Sequence, residues 1–174
     1  MADHIVDLLN KNYDANHGVV NVRPVVDTLL ASSDDPFAQF SVIFDDVDPR
    51  WHLPILEAMR VLAASGHCTQ RQADEIFRAT DRVAAESGVD EYFKSVNAVV
   101  VSAKIAPALP QHIERWLKTE REFYRRLAFY TSGMLLERKM SALLKNLRAQ
   151  LESAAKAESS EKLKGQFNEV LKQL

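Results

Sequence analysis

The sequence predicts an all-α protein: a compact bundle of short helices, then a long C-terminal helix and a short terminal helix forming a helical hairpin or coiled-coil arm. Three observations predict it. Apolar residues recur at three- and four-residue spacing along most of the chain. The six prolines and five glycines fall almost wholly where that periodicity breaks. From Pro110 to Ala157 no second proline and a single glycine, Gly133, interrupt the pattern.

Taken in order, Asp3 to Lys11 reads as an amphipathic helix with Ile5, Leu8 and Leu9 on one side, followed by the turn-rich Asn12 to Gly18. Val19, Val20 and Val22 have strand-forming side chains, but Pro24 follows so closely that an extended connector is expected. A second helix, Pro24 to Ala31, opens on proline and ends at Ser32-Ser33. Asp35 caps a third, with Pro36 at its first position and Phe37, Phe40, Ile43 and Phe44 as the buried stripe. Asp45 to Leu53 is read as a connector, and Pro54 opens a fourth helix closed by Ser65-Gly66. Thr69 with Gln72 forms the clearest helix start, a reciprocal cap of side chains and backbone N–H groups, and the helix runs to Ser87-Gly88. A sixth, Asp90 to Ile105, aligns Phe93, Val96, Val100 and Ala103, against the strand preference of Val99-Val100-Val101.

Pro110 to Ala157 is then expected as one helix, about 70 Å long at about 1.5 Å per residue. Ile113, Trp116, Phe123, Leu127, Tyr130 and Met134 form a heptad seam with Glu120 as its polar intruder. Leu136, Met140, Leu143, Leu147 and Leu151 continue on a different side, with Gly133 near the junction. A last helix carries Leu163, Phe167, Val170, Leu171 and Leu174, and is too short to stand alone in water. It must fold back onto Leu143 and Leu147 or enter another subunit.

A chain of 174 residues, 47% hydrophobic and 26% charged, can bury a core without disulfides or metal. The longest apolar stretch, Ala98 to Leu109, contains Lys104 and Pro107 and is far shorter than the roughly 20 residues of a membrane helix. No membrane partner is expected. The acidic start Met-Ala-Asp-His-Ile lacks the features of a secretory leader, and Cys68 has no second cysteine, so a cytoplasmic location and a free buried thiol are expected.

Motifs for chemistry are weak. Asp46, Asp48 and Glu57 have the outer spacing of a calcium loop, but Arg50, Trp51 and the prolines at 49 and 54 break it. His67-Cys68 has no further ligands at zinc spacing among His4, His17, His52 and His112. The five glycines are isolated, so no phosphate cradle or nucleophile elbow is present. The stretch from Thr69 begins like a helix-turn-helix, but runs on without the required turn. No cofactor, metal or catalytic residue is assigned, and the chain is read as a non-enzyme.

Charge supplies the remaining signal. Residues 1 to 108 carry 9 Lys+Arg against 16 Asp+Glu, and residues 109 to 174 carry 13 against 8, so the chain divides into an acidic bundle and a basic arm. The parts attract one another, or the arm meets a polyanion. The resulting expectation is an adaptor or assembly subunit that binds protein partners and self-associates into a homo-oligomer through Leu136, Met140, Leu143, Leu147, Leu151, Leu163, Phe167 and Leu171. The alternative is a nucleic-acid-binding or regulatory protein using a basic stripe of Arg115, Lys118, Arg121, Arg125, Arg126 and Lys139.

Overall fold

The computed structural model describes residues 2–66, 68–102 and 109–174, and these contain ten α-helices and one two-stranded sheet. The all-α expectation is met. His67 and the expected end of the sixth helix at Ile105 lie outside the described residues. The chain divides into two compact units, Met1–Ile105 and Ala106–Leu174.

The first unit opens with α1, Ala2–Lys11, whose Ile5 and Leu9 are fully buried. The Asn12 amide donates to the Leu8 carbonyl at 2.8 Å and ends the helix. Contrary to the expected connector, Val19–Val20 is a strand, β2, paired antiparallel with β1, Tyr13–Asp14. Its cause is the turn between them: the Asp14 carboxylate accepts from the Asn16 N–H at 2.8 Å, and Gly18 takes the left-handed backbone, φ +66°.

Helix α2 spans Val22–Ser32 and α4 spans His52–Ser65. Both begin two residues before the proline expected to open them. Pro24 and Pro54 thus sit at the third helical position, where a missing N–H is still harmless because no carbonyl lies one turn back to receive it. Between them lies α3, Pro36–Ile43, capped as expected by the Asp35 side chain on the Ala38 N–H, then a 3₁₀ turn at Pro49–Trp51 capped by Asp48. Helix α5, Gln70–Ser87, starts on the reciprocal Thr69–Gln72 cap, and α6 spans Asp90–Val100. In α6 the burial of Val96, Val99 and Val100 outweighs their strand preference. Helix α4 is the axle of the unit: it packs on α2, α3, α5 and α6 and buries Ile55, Leu56, Ala58, Met59 and Ala63.

In the second unit the expected long helix is replaced by α7, Leu109–Leu117, α8, Glu122–Glu137, and α9, Arg148–Ala157, with two 3₁₀ turns before α9. The first break falls at the polar intruder of the seam. The Arg125 guanidinium reaches back to the Glu120 carbonyl at 2.7 Å and across to the Glu158 carboxylate at 2.7 Å, so a side chain takes over a carbonyl the helix would have paired. The second break is not at Gly133, which lies inside α8, but at Lys139, φ +58°. There the Lys139 N–H donates to the Leu136 carbonyl and the Met140 N–H to the Leu135 carbonyl, both at 2.8 Å, closing a Schellman motif with lysine in the position glycine usually holds. The shift of apolar face read near residue 135 is therefore a change of helix. Because the left-handed conformation costs a side-chain-bearing residue about 1–2 kcal/mol, Lys139→Gly is expected to stabilise this unit by about 0.5–1 kcal/mol, measurable as a shift in its urea midpoint.

The terminal helix α10, Glu161–Lys172, is capped by Ser160 on the Leu163 N–H and folds back on α9 and α8. Leu163, Phe167 and Val170 meet a core that includes Leu127, Leu135, Leu144, Leu147 and Leu151.

Candidate functional site

The eight residues expected to form the partner surface divide by burial within the chain. Leu147, Leu151, Leu163 and Phe167 are core residues of the second unit, shielded within one chain, while Leu136, Met140, Leu143 and Leu171 are only partly exposed. The hydrocarbon that seemed to require a second subunit is largely covered by α10 of the same chain.

The basic stripe is likewise redistributed. Arg115 and Lys118 belong to α7 and its end, Arg121, Arg125 and Arg126 to the start of α8, and Lys139 to its C-terminal cap. Lys118 pairs with Glu114 at 2.8 Å, Arg126 with Glu122 at 2.6 Å, and one Arg115 nitrogen lies 2.8 Å from His112 Nδ1. Arg125 is committed to Glu158, whose carboxyl that hydrogen bond holds below the usual range. These contacts join the α7–α8 corner to the α9–α10 loop, so Arg125 acts as a brace. A cavity of about 500 Å³ beside this brace, lined among others by Leu117, Lys118, Arg125 and Gln150, therefore offers cations that already have carboxylate partners.

The first unit holds a different kind of cavity, a cleft of about 480 Å³ that sequence reading did not anticipate. Four elements build it. Asn10 comes from α1; Tyr13, Gly18, Val19 and Val20 from the hairpin; Arg50 and Trp51 from the 3₁₀ turn; Leu53, Pro54 and Glu57 from the first turns of α4. The hairpin places Tyr13 opposite Val20. Tyr13 and Val19, both in the lining, remain 49% and 56% exposed. Trp51 is buried, and the Arg50 guanidinium lies over its ring, 4.8 Å from the centroid.

Glu57 is the chemically distinctive lining residue. It is partly buried, and burial pushes its carboxyl above the ordinary range, opposed by the charges of Arg60 and Lys94. Neither cation hydrogen-bonds to it, because both serve Glu91: Arg60 Nη1 and Lys94 Nζ each lie 2.7 Å from the Glu91 carboxylate. Arg60 also donates to the Glu91 carbonyl at 2.7 Å and to the Ser95 hydroxyl at 2.9 Å, and Ser95 bonds Thr80 at 2.6 Å. This network ties α4 to α5 and α6, one turn along α4 from Glu57. Burial alone would raise the Glu91 carboxyl, but the bonds from Lys94 and Arg60 outweigh it and hold the group low.

The described residues considered as metal ligands are not brought together. Asp48 caps the 3₁₀ turn, Glu57 faces the cleft, and Asp46 is exposed. Among the described residues no group of three His, Cys, Asp or Glu side chains is placed to hold a metal ion. Cys68 is buried, which pushes its thiol up to about 11 and disfavours the thiolate. His52 is also buried, stacked on Phe44 at 4.7 Å, and neither of its ring nitrogens has a hydrogen-bond partner among the described residues. No helix among the described residues is long and apolar enough to cross a membrane. Comparison of the chain with protein-family models, with curated proteins and with solved structures gave no match.

Proposed function

We propose that the chain is a non-enzymatic protein-interaction module, an adaptor or assembly subunit, that holds a segment of a partner protein in the cleft of its first unit. The observation that carries this reading is the cleft itself, an apolar trough with a buried tryptophan wall and with exposed Tyr13 and Val19 in its lining. Exposed aromatic and aliphatic side chains beside a preformed concavity are what a partner's anchor residues bury. The lining supports binding over catalysis: its titratable side chains are Tyr13, Arg50 and Glu57, which supply no nucleophile paired with a base. The Arg60–Glu91 network holds α4, which supplies Leu53, Pro54 and Glu57 to the lining, against α6, so that wall needs little ordering when a partner arrives.

Self-association through the C-terminal helices loses its main support, because four of the eight residues that suggested it pack inside the second unit. On this proposal the binding surface lies on the first unit instead. A photoreactive residue at position 19, introduced into the full chain in the cells that make it, tests this. The expected result is a covalent adduct of one discrete mass, suppressed when Tyr13 is changed to Ala. An absence of adduct from position 19, with the chain folded, overturns the reading.

A further inference from the structure

Resting on that reading, we infer that the occupant of the cleft is a basic side chain, Lys or Arg, flanked by apolar residues on the partner's segment, with its cation seated on Glu57. Glu57 lines the cleft, is partly shielded from solvent, and has no hydrogen-bond or ion-pair partner among the described residues. A carboxylate in that position has lost part of its hydration without a protein donor to replace it. An incoming ammonium or guanidinium supplies the missing donors as charge-assisted bonds, the stronger class of hydrogen bond.

The groups facing Glu57 leave room for that cation. Arg60, on the same helix, and Lys94, on α6, both spend their bonds on Glu91, so they offset the charge of Glu57 without satisfying its lone pairs. The other charge at the cleft, Arg50, makes the opposite case for an anion, and magnitudes decide between them. Arg50 is 67% exposed and already lies over Trp51. An anion meeting a solvated guanidinium gains little, whereas a donor reaching a partly shielded carboxylate makes the stronger, charge-assisted bond. The acidic surplus of residues 1 to 108, 16 Asp+Glu against 9 Lys+Arg, favours approach of a basic segment in the same sense. The rest of the recognition is apolar: Tyr13, Val19, Val20, Leu53 and Pro54 can cover the aliphatic stem of a lysine or arginine and the residues beside it.

Calorimetric titration of the full chain with blocked tripeptides tests the inference, using Val-Lys-Val and Val-Arg-Val against Val-norleucine-Val and Val-Glu-Val, with amide shifts to locate the site. The basic peptides should shift residues 13, 19, 51 and 57 and bind about tenfold tighter than the norleucine peptide, the ratio expected of one charge-assisted bond. Glu57→Gln, which removes a shielded charge and should leave thermal stability equal or higher, should erase that ratio while the apolar binding remains. Equal binding of basic, neutral and acidic peptides at the cleft, or an unchanged ratio in Glu57→Gln, overturns the choice of a basic anchor and leaves the protein-binding reading standing. Preference for the acidic peptide overturns it in favour of Arg50. Absence of any shift at the cleft also overturns it, and the fate of the wider reading then rests on the adduct from position 19.

Discussion

Replacing Glu91 with alanine is expected to destabilise the first unit by about 3–5 kcal/mol, the range for breaking a buried ion pair from one side. The Arg60 guanidinium, in a residue only 6% exposed, would keep its charge and its Ser95 contact but lose the carboxylate 2.7 Å away. Coulomb attraction is not what is mainly lost; the cost is a cation left in a poorly solvated interior. A double replacement, Arg60→Met with Glu91→Leu, should therefore recover most of the stability, because neither charge then needs solvation. Peptide-resolved amide exchange in denaturant separates this unit's response from the other's. The pH response has a definite sign: Glu91 is held below its unfolded value, so its contribution is present above the ordinary carboxylate range and is lost as pH falls through that range toward the folded value. Acid should loosen α5 and α6 from α4, which lines the cleft.

Phe167→Ala is expected to cost the second unit about 3–5 kcal/mol, as deletion of a fully buried aromatic ring does. Phe167 has no exposed surface and meets Phe129 edge-on, with ring centroids 6.1 Å apart. Helix α10 has 12 residues and depends on that packing, since isolated helices of this length are marginal in water. The result also separates two accounts of the C-terminal leucines. If they are the unit's own core, the loss is independent of protein concentration and the mass by light scattering is the same for both chains. If they joined subunits, the mass would fall while each protomer stayed folded.

Much of the fold was legible where its cause is local. Asp35 and Thr69 cap the helices they precede, because a side chain three residues away satisfies an N–H that is otherwise orphaned. The helix starts at Pro24 and Pro54 were displaced by two residues, since proline is tolerated throughout the first turn and marks a helix start without fixing it. The breaks in the C-terminal region were not legible, for a physical reason. Arg125 and Glu158 are 33 positions apart and meet only once the unit has folded, and Lys139 adopts a conformation its residue type rarely takes. Glu120 was the one local hint, a polar residue at the place where the apolar seam turns its corner.

The cleft was hidden for a related reason. Its walls come from a helix end, a hairpin, a 3₁₀ turn and a helix start, none of which carries a recognisable motif. In the sequence Glu57 stands out only as the last position of an incomplete calcium loop. What distinguishes it is the commitment of Arg60 and Lys94 to Glu91, which no spacing along the chain reveals.

The proposal that the cleft of the first unit holds a partner protein is tested most directly by comparing photoreactive residues at positions 19, 143 and 171 of the intact chain under the same illumination. Crosslinking to a protein of one mass from position 19, with background from Leu143 and Leu171, is the result expected of a cleft-binding first unit and a self-contained second one. A strong adduct from 143 or 171, above all one with the mass of the chain itself, together with silence at 19, would contradict it.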